Sequence, residues 1–175
     1  RFDGSRTTVE RLRRGRLASV EGCFVEPSLA ITRQSLIGED YRTERVTHPA
    51  LEALSGWLEG RQKLARSPQA ALILGEYGSG KSTLLAEWAC RLWSAEKGPR
   101  PILVDLARSS APSPEVLLLG AAELPDTPEN RAALRMGIRS GRLLPIFDGF
   151  DEMATRVTVG ELPQRLADLL DSAQL

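Results

Sequence analysis

The sequence predicts an α/β fold in which a parallel sheet is flanked by helices. Three short apolar runs, 70–74, 102–106 and 143–148, have the length and composition of buried strands. Amphipathic segments with helical spacing lie between them, and strands that alternate with helices along a chain form parallel sheets with right-handed crossovers. The length of 175 residues, of which 42% are hydrophobic, is sufficient for one domain with its own core.

The residues ahead of the first strand are predicted to form a connector and a flank. Residues 1–22 are arginine-rich and weakly helical, which favours a linker helix. Residues 23–69 are interpreted as the N-terminal flank of the main domain. Within them we expect a short strand at 23–25, mostly loop over 28–46, and a helix that opens at Thr47-His48-Pro49. The apolar stripe of this helix would be Leu51, Leu54 and Leu58, continued by Leu64.

The most specific feature of the chain is the octapeptide 75–82, Gly-Glu-Tyr-Gly-Ser-Gly-Lys-Ser, which fits the phosphate-binding pattern G-x-x-x-x-G-K-[ST]. The first predicted strand precedes it, and a helical pattern follows it. Such a turn directs backbone N–H groups and a helix N-terminus at one point, where an anion binds. The chain has three lysines against twenty arginines, yet the loop uses Lys81. A compact ammonium fits between the β- and γ-phosphates, where a guanidinium would crowd the loop. The apolar positions of the following helix are Leu84, Leu85, Trp88, Ala89 and Leu92.

Helices are also predicted after each of the three strands. The helix after the phosphate loop should end near Gly98-Pro99. A helical stretch is expected from Ser113 through Leu119, and another over 128–140, closed by Gly141. After the third strand a tail helix is expected from Glu161, with the apolar stripe Leu162, Leu166, Leu169 and Leu170.

The third predicted strand ends in an acid. Asp148 would leave the sheet at its carboxyl edge, beside the phosphate loop, where it can hold Mg²⁺ together with the hydroxyl of Ser82. Asp151 and Glu152 follow three and four residues later. Either could orient the attacking water of a hydrolase. Each could equally serve as a helix cap or complement a helix dipole. The pattern alone leaves both interpretations open.

Residues 143–152, Leu-Leu-Pro-Ile-Phe-Asp-Gly-Phe-Asp-Glu, resemble the Mg-binding segment of the NACHT family. That family belongs to the STAND class of signal-transducing P-loop ATPases. The segment matches the family pattern at each position: a strand ending in Asp is followed by a small residue, an apolar residue and two acids. The run 71–83 is similar to the family's phosphate loop, although Tyr77 stands where proline or alanine is common. Ser140-Gly141-Arg142 before the third strand and Arg108 after the second are also usual in the family.

The resemblance implies a P-loop NTPase core over 70–175 that is incomplete, with three core strands and the central sensor strand missing. We therefore expect the chain to be a piece of a larger switch protein that carries effector and sensor domains elsewhere. ATP or ADP with Mg²⁺ would be the cofactors, and the full-length protein would self-associate, as similar bacterial proteins do in defence against phage. The nucleotide would contact Gly75, Glu76, Tyr77, Gly78, Ser79, Gly80, Lys81, Ser82 and Thr83. The catalytic residues would be Lys81, Asp151 and Glu152, and the metal ligands Ser82 and Asp148.

Two other functions share the same loop and metal site. A phosphotransferase would move the γ-phosphate to a small molecule, but the acceptor lid rich in Arg and Gly that such enzymes often have is not apparent over 156–175. A scaffold that holds nucleotide without hydrolysing it is the second alternative. Comparison of phosphate release between the wild type and alanine variants of the two distal acids would separate the scaffold from the enzyme.

Composition argues against several other partners. Zero net charge gives no reason to propose nucleic acid, and the arginines of 11–16 are interpreted as the solvated side of the linker helix. No apolar run approaches the ~20 residues that cross a bilayer. Cys23 and Cys90 are too few for a metal site or a disulfide framework. Together with nucleotide use, these features favour a cytoplasmic location.

Overall fold

The computed structural model describes residues 4–17, 24–37, 40–63, 70–108 and 113–155, together with residues 161, 164, 165 and 167–169. In chain order the elements are α1 (Gly4–Leu17), β1 (Ser28–Ile37), β2 (Asp40–Pro49), α2 (Ala50–Lys63), α3 (Lys81–Ser94), β3 (Arg100–Asp105), α4 (Pro114–Ala121), α5 (Pro128–Arg139), β4 (Leu143–Asp148) and α6 (Phe150–Ala154). A single turn of 3₁₀-helix, Leu106–Arg108, follows β3 directly.

Strands β3 and β4 form the parallel pair that positions the site. Their register places Ile102 opposite Pro145 and Asp105 opposite Asp148, so both strands end in an acid at the same edge. The two helices that connect them, α4 and α5, form the crossover that a parallel pair requires. The predicted α/β class with a small, incomplete parallel sheet is therefore confirmed.

Apolar side chains cover both faces of this pair, because successive residues of a strand point to opposite faces. On one face Leu103 packs in a cluster with residues of α2 and α3. On the other face Ile102 and Val104 pack with buried residues of α4 and α5, among them Leu118 and Leu134. This two-sided burial explains why the strands are almost continuously apolar rather than alternating.

Helix α1 packs on the domain instead of standing apart from it. It lies against α3 and β3, and Val9 is completely buried. Gly4 lies so close to the carbonyl oxygen of Ala122 that a side chain at this position would collide with it. On the outer side, Arg11 forms an ion pair of 3.0 Å with Glu123.

The prediction of mostly loop over 28–46 is wrong, because β1 and β2 form an antiparallel hairpin with ten paired residues on each strand. Leu29 and Ile31 are half-buried, whereas Ser28 before them and Ala30 between them are exposed. This alternation is the period of a strand with one solvated face, and the many polar residues of that face hide it in the sequence.

Helix α2 begins after Pro49 rather than at Thr47, which is paired in β2. Its first N–H groups are satisfied by a segment far away in sequence: Ala50 N donates to Pro27 O at 2.9 Å and Leu51 N to Glu26 Oε1 at 2.8 Å. The predicted stripe is confirmed, since Leu51, Leu54 and Leu58 are all buried; Leu64 lies outside the described residues. The short strand expected at 23–25 is also wrong, because the described residues 24–27 belong to no strand.

The strand predicted at 70–74 is absent from the structure. These residues have no regular secondary structure, and the side chains of Leu72 and Leu74 are 68% and 80% exposed. A strand exists only where a neighbouring strand pairs with its backbone, and no described strand pairs with this segment. The parallel sheet therefore has two described strands where three were predicted.

The helices around the site agree with the sequence pattern. Helix α3 ends at Ser94, four residues ahead of Gly98, and Leu106 belongs to the 3₁₀ turn rather than to β3. Helix α4 is capped by Ser113, and α5 by Thr127, whose hydroxyl accepts from Asn130 N at 3.3 Å. In the tail, residues 164–165 and 167–169 are helical and Leu169 is buried. The expected stripe residues Leu162, Leu166 and Leu170 fall outside the described part of the chain.

Candidate functional site

The glycine-rich loop lies at the N-terminus of α3, as its sequence predicts. Gly78 and Gly80 have φ angles of +77° and +84°, a conformation that side chains disfavour. Gly80 occupies the N-cap position of α3, and no side chain caps the helix there. The first N–H groups of α3 are therefore available for an external acceptor, which makes this helix end an anion site.

Lys81 is the first residue of α3, and its side chain folds back over the loop. Its Nζ donates to the carbonyl oxygen of Gly75 at 2.8 Å and to that of Glu76 at 2.9 Å. The carboxylate of Asp151 lies 3.6 Å from the same nitrogen. The ammonium thus holds the two ends of the loop together and marks the point where a phosphate charge would be neutralised.

Ser82 and Asp148 come together across 66 residues of sequence. The hydroxyl of Ser82 donates to Asp148 Oδ1 at 2.8 Å, and Asp148 is only 6% exposed. The carboxyl edge of β4 therefore lies against the first turn of α3, as the sequence predicts. Two oxygen atoms suited to a hard cation are adjacent in a partly enclosed place.

The oxygen pair fits Mg²⁺ better than it fits a metal bound by protein alone. Within the ranges that the structure describes, no group of three or more His, Cys, Asp or Glu residues is arranged to hold a metal ion. Magnesium commonly uses one or two protein oxygens and completes its shell with phosphate oxygens and water. The donor set of Ser82 and Asp148 thus suits a cation that arrives with a polyphosphate.

The two distal acids, Asp151 and Glu152, lie in the first turn of α6. Gly149, with φ of +76°, turns the chain from β4 into this helix and packs against Ala107. Asp151 Oδ1 accepts a hydrogen bond from Glu152 N at 3.1 Å. Both acids are exposed, but only Asp151 reaches Lys81. No ion pair of the Glu152 carboxylate occurs among the described side chains.

The remaining predicted loop residues surround the same point. Glu76, Tyr77 and Ser79 are exposed, and Ser79 N donates to the carbonyl oxygen of Glu76 at 3.2 Å to close the turn. Thr83 is half-buried in the first turn of α3. All predicted nucleotide, metal and catalytic residues are therefore brought to one edge of the sheet.

A cavity of about 250 Å³, which the sequence did not predict, adjoins the site. Residues 70–75, residues 144–148 of β4, and Leu85 and Trp88 of α3 line it. Trp57 of α2 also lines it, and the ring centroids of Trp57 and Trp88 are 6.4 Å apart. The buried indole N–H of Trp88 has no acceptor among the described residues. The only signal in the sequence was the placement of both tryptophans on the apolar sides of their helices.

A glycine-rich loop that opens a helix, with a serine bonded to the acid at the end of a parallel strand, defines a P-loop NTPase. The sequence profile described as NACHT domain matches residues 69–174, well over half of the chain. The chain therefore belongs to the NACHT family, and it contains a nucleotide-binding P-loop NTPase module. This confirms the resemblance that the two motifs carried.

No match was found for this chain among curated proteins or among solved structures. Within the described ranges, no helix has both the length and the apolar character that crossing a bilayer requires.

Proposed function

We propose that this domain binds ATP and ADP together with Mg²⁺, hydrolyses ATP, and acts as the nucleotide switch of a larger STAND-class signalling protein. The observation that carries the proposal is the hydrogen bond of 2.8 Å between Ser82 and Asp148. It joins the phosphate loop to the acid at the end of β4, which is the arrangement that a bound Mg-nucleotide requires.

Each part of the loop has a role in this proposal. The N–H groups of the loop residues 78–80 and of the first turn of α3 bind phosphate oxygens. Lys81 places its ammonium between the β- and γ-phosphates. Thr83, in the first turn of the same helix, contacts the α-phosphate. The exposed loop residues Glu76 and Tyr77 border the nucleotide.

Ser82 and Asp148 are the proposed ligands of the metal. Mg²⁺, when bound, neutralises charge that develops on the transferred phosphate. Asp151 or Glu152 orients the attacking water, because both lie in the turn that directly follows the metal-binding strand. Lys81 is counted with them as catalytic because its charge also faces the transferred phosphate.

The switch requires that ADP and ATP bind two states of the protein with different affinity, since only differential binding shifts an equilibrium. We propose that ADP favours a closed form and ATP an open form that self-associates. Effector and sensor domains of the full-length protein would supply output and trigger, in a cytoplasmic protein of antiphage defence. This last step follows from the family resemblance.

Titration calorimetry on the full-length protein tests the binding part. Mg·ADP should bind the wild type, and Lys81→Ala should weaken binding at least tenfold, because a charge-assisted contact to phosphate contributes about 1.5–3 kcal/mol. Lys97→Ala is the matched control, since Lys97 is exposed in the turn after α3. Equal affinities of the two variants would contradict the role of Lys81.

The native mass of the same protein with ADP, and with a slowly hydrolysed ATP analogue, tests the switch part. A larger mass with the analogue supports nucleotide-controlled assembly. A constant mass combined with turnover that depends on a small-molecule acceptor would instead indicate a phosphotransferase. A constant mass without turnover would indicate a scaffold that only holds nucleotide.

A further inference from the structure

Lys81 donates two hydrogen bonds within the phosphate loop and forms an ion pair with an acid outside it. An ammonium has three donors and no acceptor. Two of them donate to carbonyl oxygens of the loop, with N–O distances of 2.8 and 2.9 Å. The carboxylate of Asp151 lies 3.6 Å from the same nitrogen. The remaining N–H donor and the charge of the ammonium are therefore shared between Asp151 and any phosphate oxygen that approaches Lys81.

The three contacts differ in strength and in freedom to move. The two carbonyl groups belong to the loop itself, and their bonds are short. The contact to Asp151 is the longest, and the two side chains are unequally exposed, Lys81 by 21% and Asp151 by 54%. An exposed carboxylate is readily hydrated once its ion pair opens. Asp151 is therefore the partner that leaves first.

We propose that Asp151 occupies Lys81 in the nucleotide-free protein and competes with the nucleotide's phosphates for it. The inference rests on the proposed nucleotide site and adds a role that the sequence pattern does not assign to this acid. Since Asp151 lies in the first turn of α6, phosphate binding releases α6 from the phosphate loop. The occupancy of Lys81 thus couples the nucleotide to the segment after β4.

Two neighbouring acids allow a matched test. Asp151→Asn and Glu152→Gln each remove one negative charge from the same turn, but only the former removes the partner of Lys81. Asparagine retains the Oδ1 atom that accepts from Glu152 N, so the local turn is preserved. Asp151→Glu retains the charge and serves as the conservative replacement.

The measurement is the affinity of the full-length protein for Mg·ADP by titration calorimetry at low salt. We expect Asp151→Asn to bind about two- to five-fold more tightly than the wild type, the range of an exposed ion pair. The gain should exceed that of Glu152→Gln by at least twofold, and Asp151→Glu should return to within twofold of the wild type.

Equal gains in Asp151→Asn and Glu152→Gln would show a general charge effect and overturn the competition. Weaker binding by Asp151→Asn would show that this acid supports the nucleotide and would overturn it as well. Neither outcome would affect the proposed function, because the wild type still binds. Absence of heat with the wild type would instead remove the nucleotide site and the inference together.

Discussion

The conformation of Gly149 allows a test of how the acidic turn is positioned. This residue joins β4 to α6 with φ of +76°, and a Cβ added there would lie 3.2 Å from both Cβ and N of Ala107. Ala107 is buried and cannot move freely. In Gly149→Ala the backbone strain costs about 1–2 kcal/mol, and the tight contact about 1–3 kcal/mol more. The sum is about 2–5 kcal/mol.

Gly141 provides the matched control. It has nearly the same φ, +67°, but an added Cβ there would meet open space. Gly141→Ala should therefore cost only the backbone part, about 1–2 kcal/mol. The difference between the two variants isolates the contact of Gly149 with Ala107.

Hydrogen exchange of the amides in 143–155 measures this difference in the full-length protein, since it reports the free energy of local opening. We expect a larger loss of protection in Gly149→Ala than in Gly141→Ala, by a factor of about 5 to 150, because the contact of about 1–3 kcal/mol converts at about 1.4 kcal/mol per tenfold change. Because Asp148, a proposed metal ligand, directly precedes Gly149, Gly149→Ala should also weaken Mg·ADP binding. Gly141→Ala should bind within twofold of the wild type. Equal protection and equal affinity in the two variants would refute the reasoning.

Further substitutions test the core, a helix cap and an ion pair. Leu134→Ala removes a fully buried side chain and should destabilise by about 2–5 kcal/mol, whereas the exposed Met136→Ala should change thermal stability by less than about 0.5 kcal/mol. Thr127→Ala removes the cap of α5 and should cost about 1 kcal/mol, visible as faster exchange in its first turn. The hydrogen bond from Arg131 lowers the pKa of Asp126 below its ordinary value. The stabilisation that this bond gives the folded protein is therefore complete above the ordinary pKa of the carboxyl group, and it is lost as pH falls through the lowered pKa. Asp126→Asn should therefore be less stable than the wild type at neutral pH and equal to it in acid, by thermal unfolding.

Short-range chemistry explains which parts of the site the sequence predicted. The loop 75–82 binds phosphate through its own backbone, so its spacing of glycines, Lys81 and Ser82 is visible without a structure. The contact of Ser82 with Asp148 was also predicted, from the rule that the ends of parallel strands and the loop that follows a strand meet at one edge, although the strand expected before this loop is absent. The contact of Lys81 with Asp151 was not, since it depends on where Gly149 starts α6.

The missed elements depend on partners that are distant in sequence. The hairpin β1–β2 was overlooked because its alternation is carried by few apolar residues and one face is polar. Helix α2 starts where Glu26, some 25 residues earlier, supplies the cap. A local pattern such as Thr47-His48-Pro49 contains no information about that distant side chain. By contrast, α5 carries its own cap, Thr127, and was predicted to within one residue.

The apolar run 70–74 failed as a strand for a reason that lies in β4. The bond from Arg100 N to Arg142 O fixes the pairing so that residues 142, 144, 146 and 148 bond to β3, and the backbone of residues 143, 145 and 147 faces the other way.

Pro145 is among the residues that face away, so this outer edge of β4 lacks one of its N–H donors. No described strand pairs with this edge, and residues 70–75 and β4 both line the cavity. The resemblance to the family places a further, central strand between the phosphate-loop segment and β4. An apolar run indicates that a segment can be buried, but whether the segment forms a strand depends on whether a neighbouring backbone pairs with it.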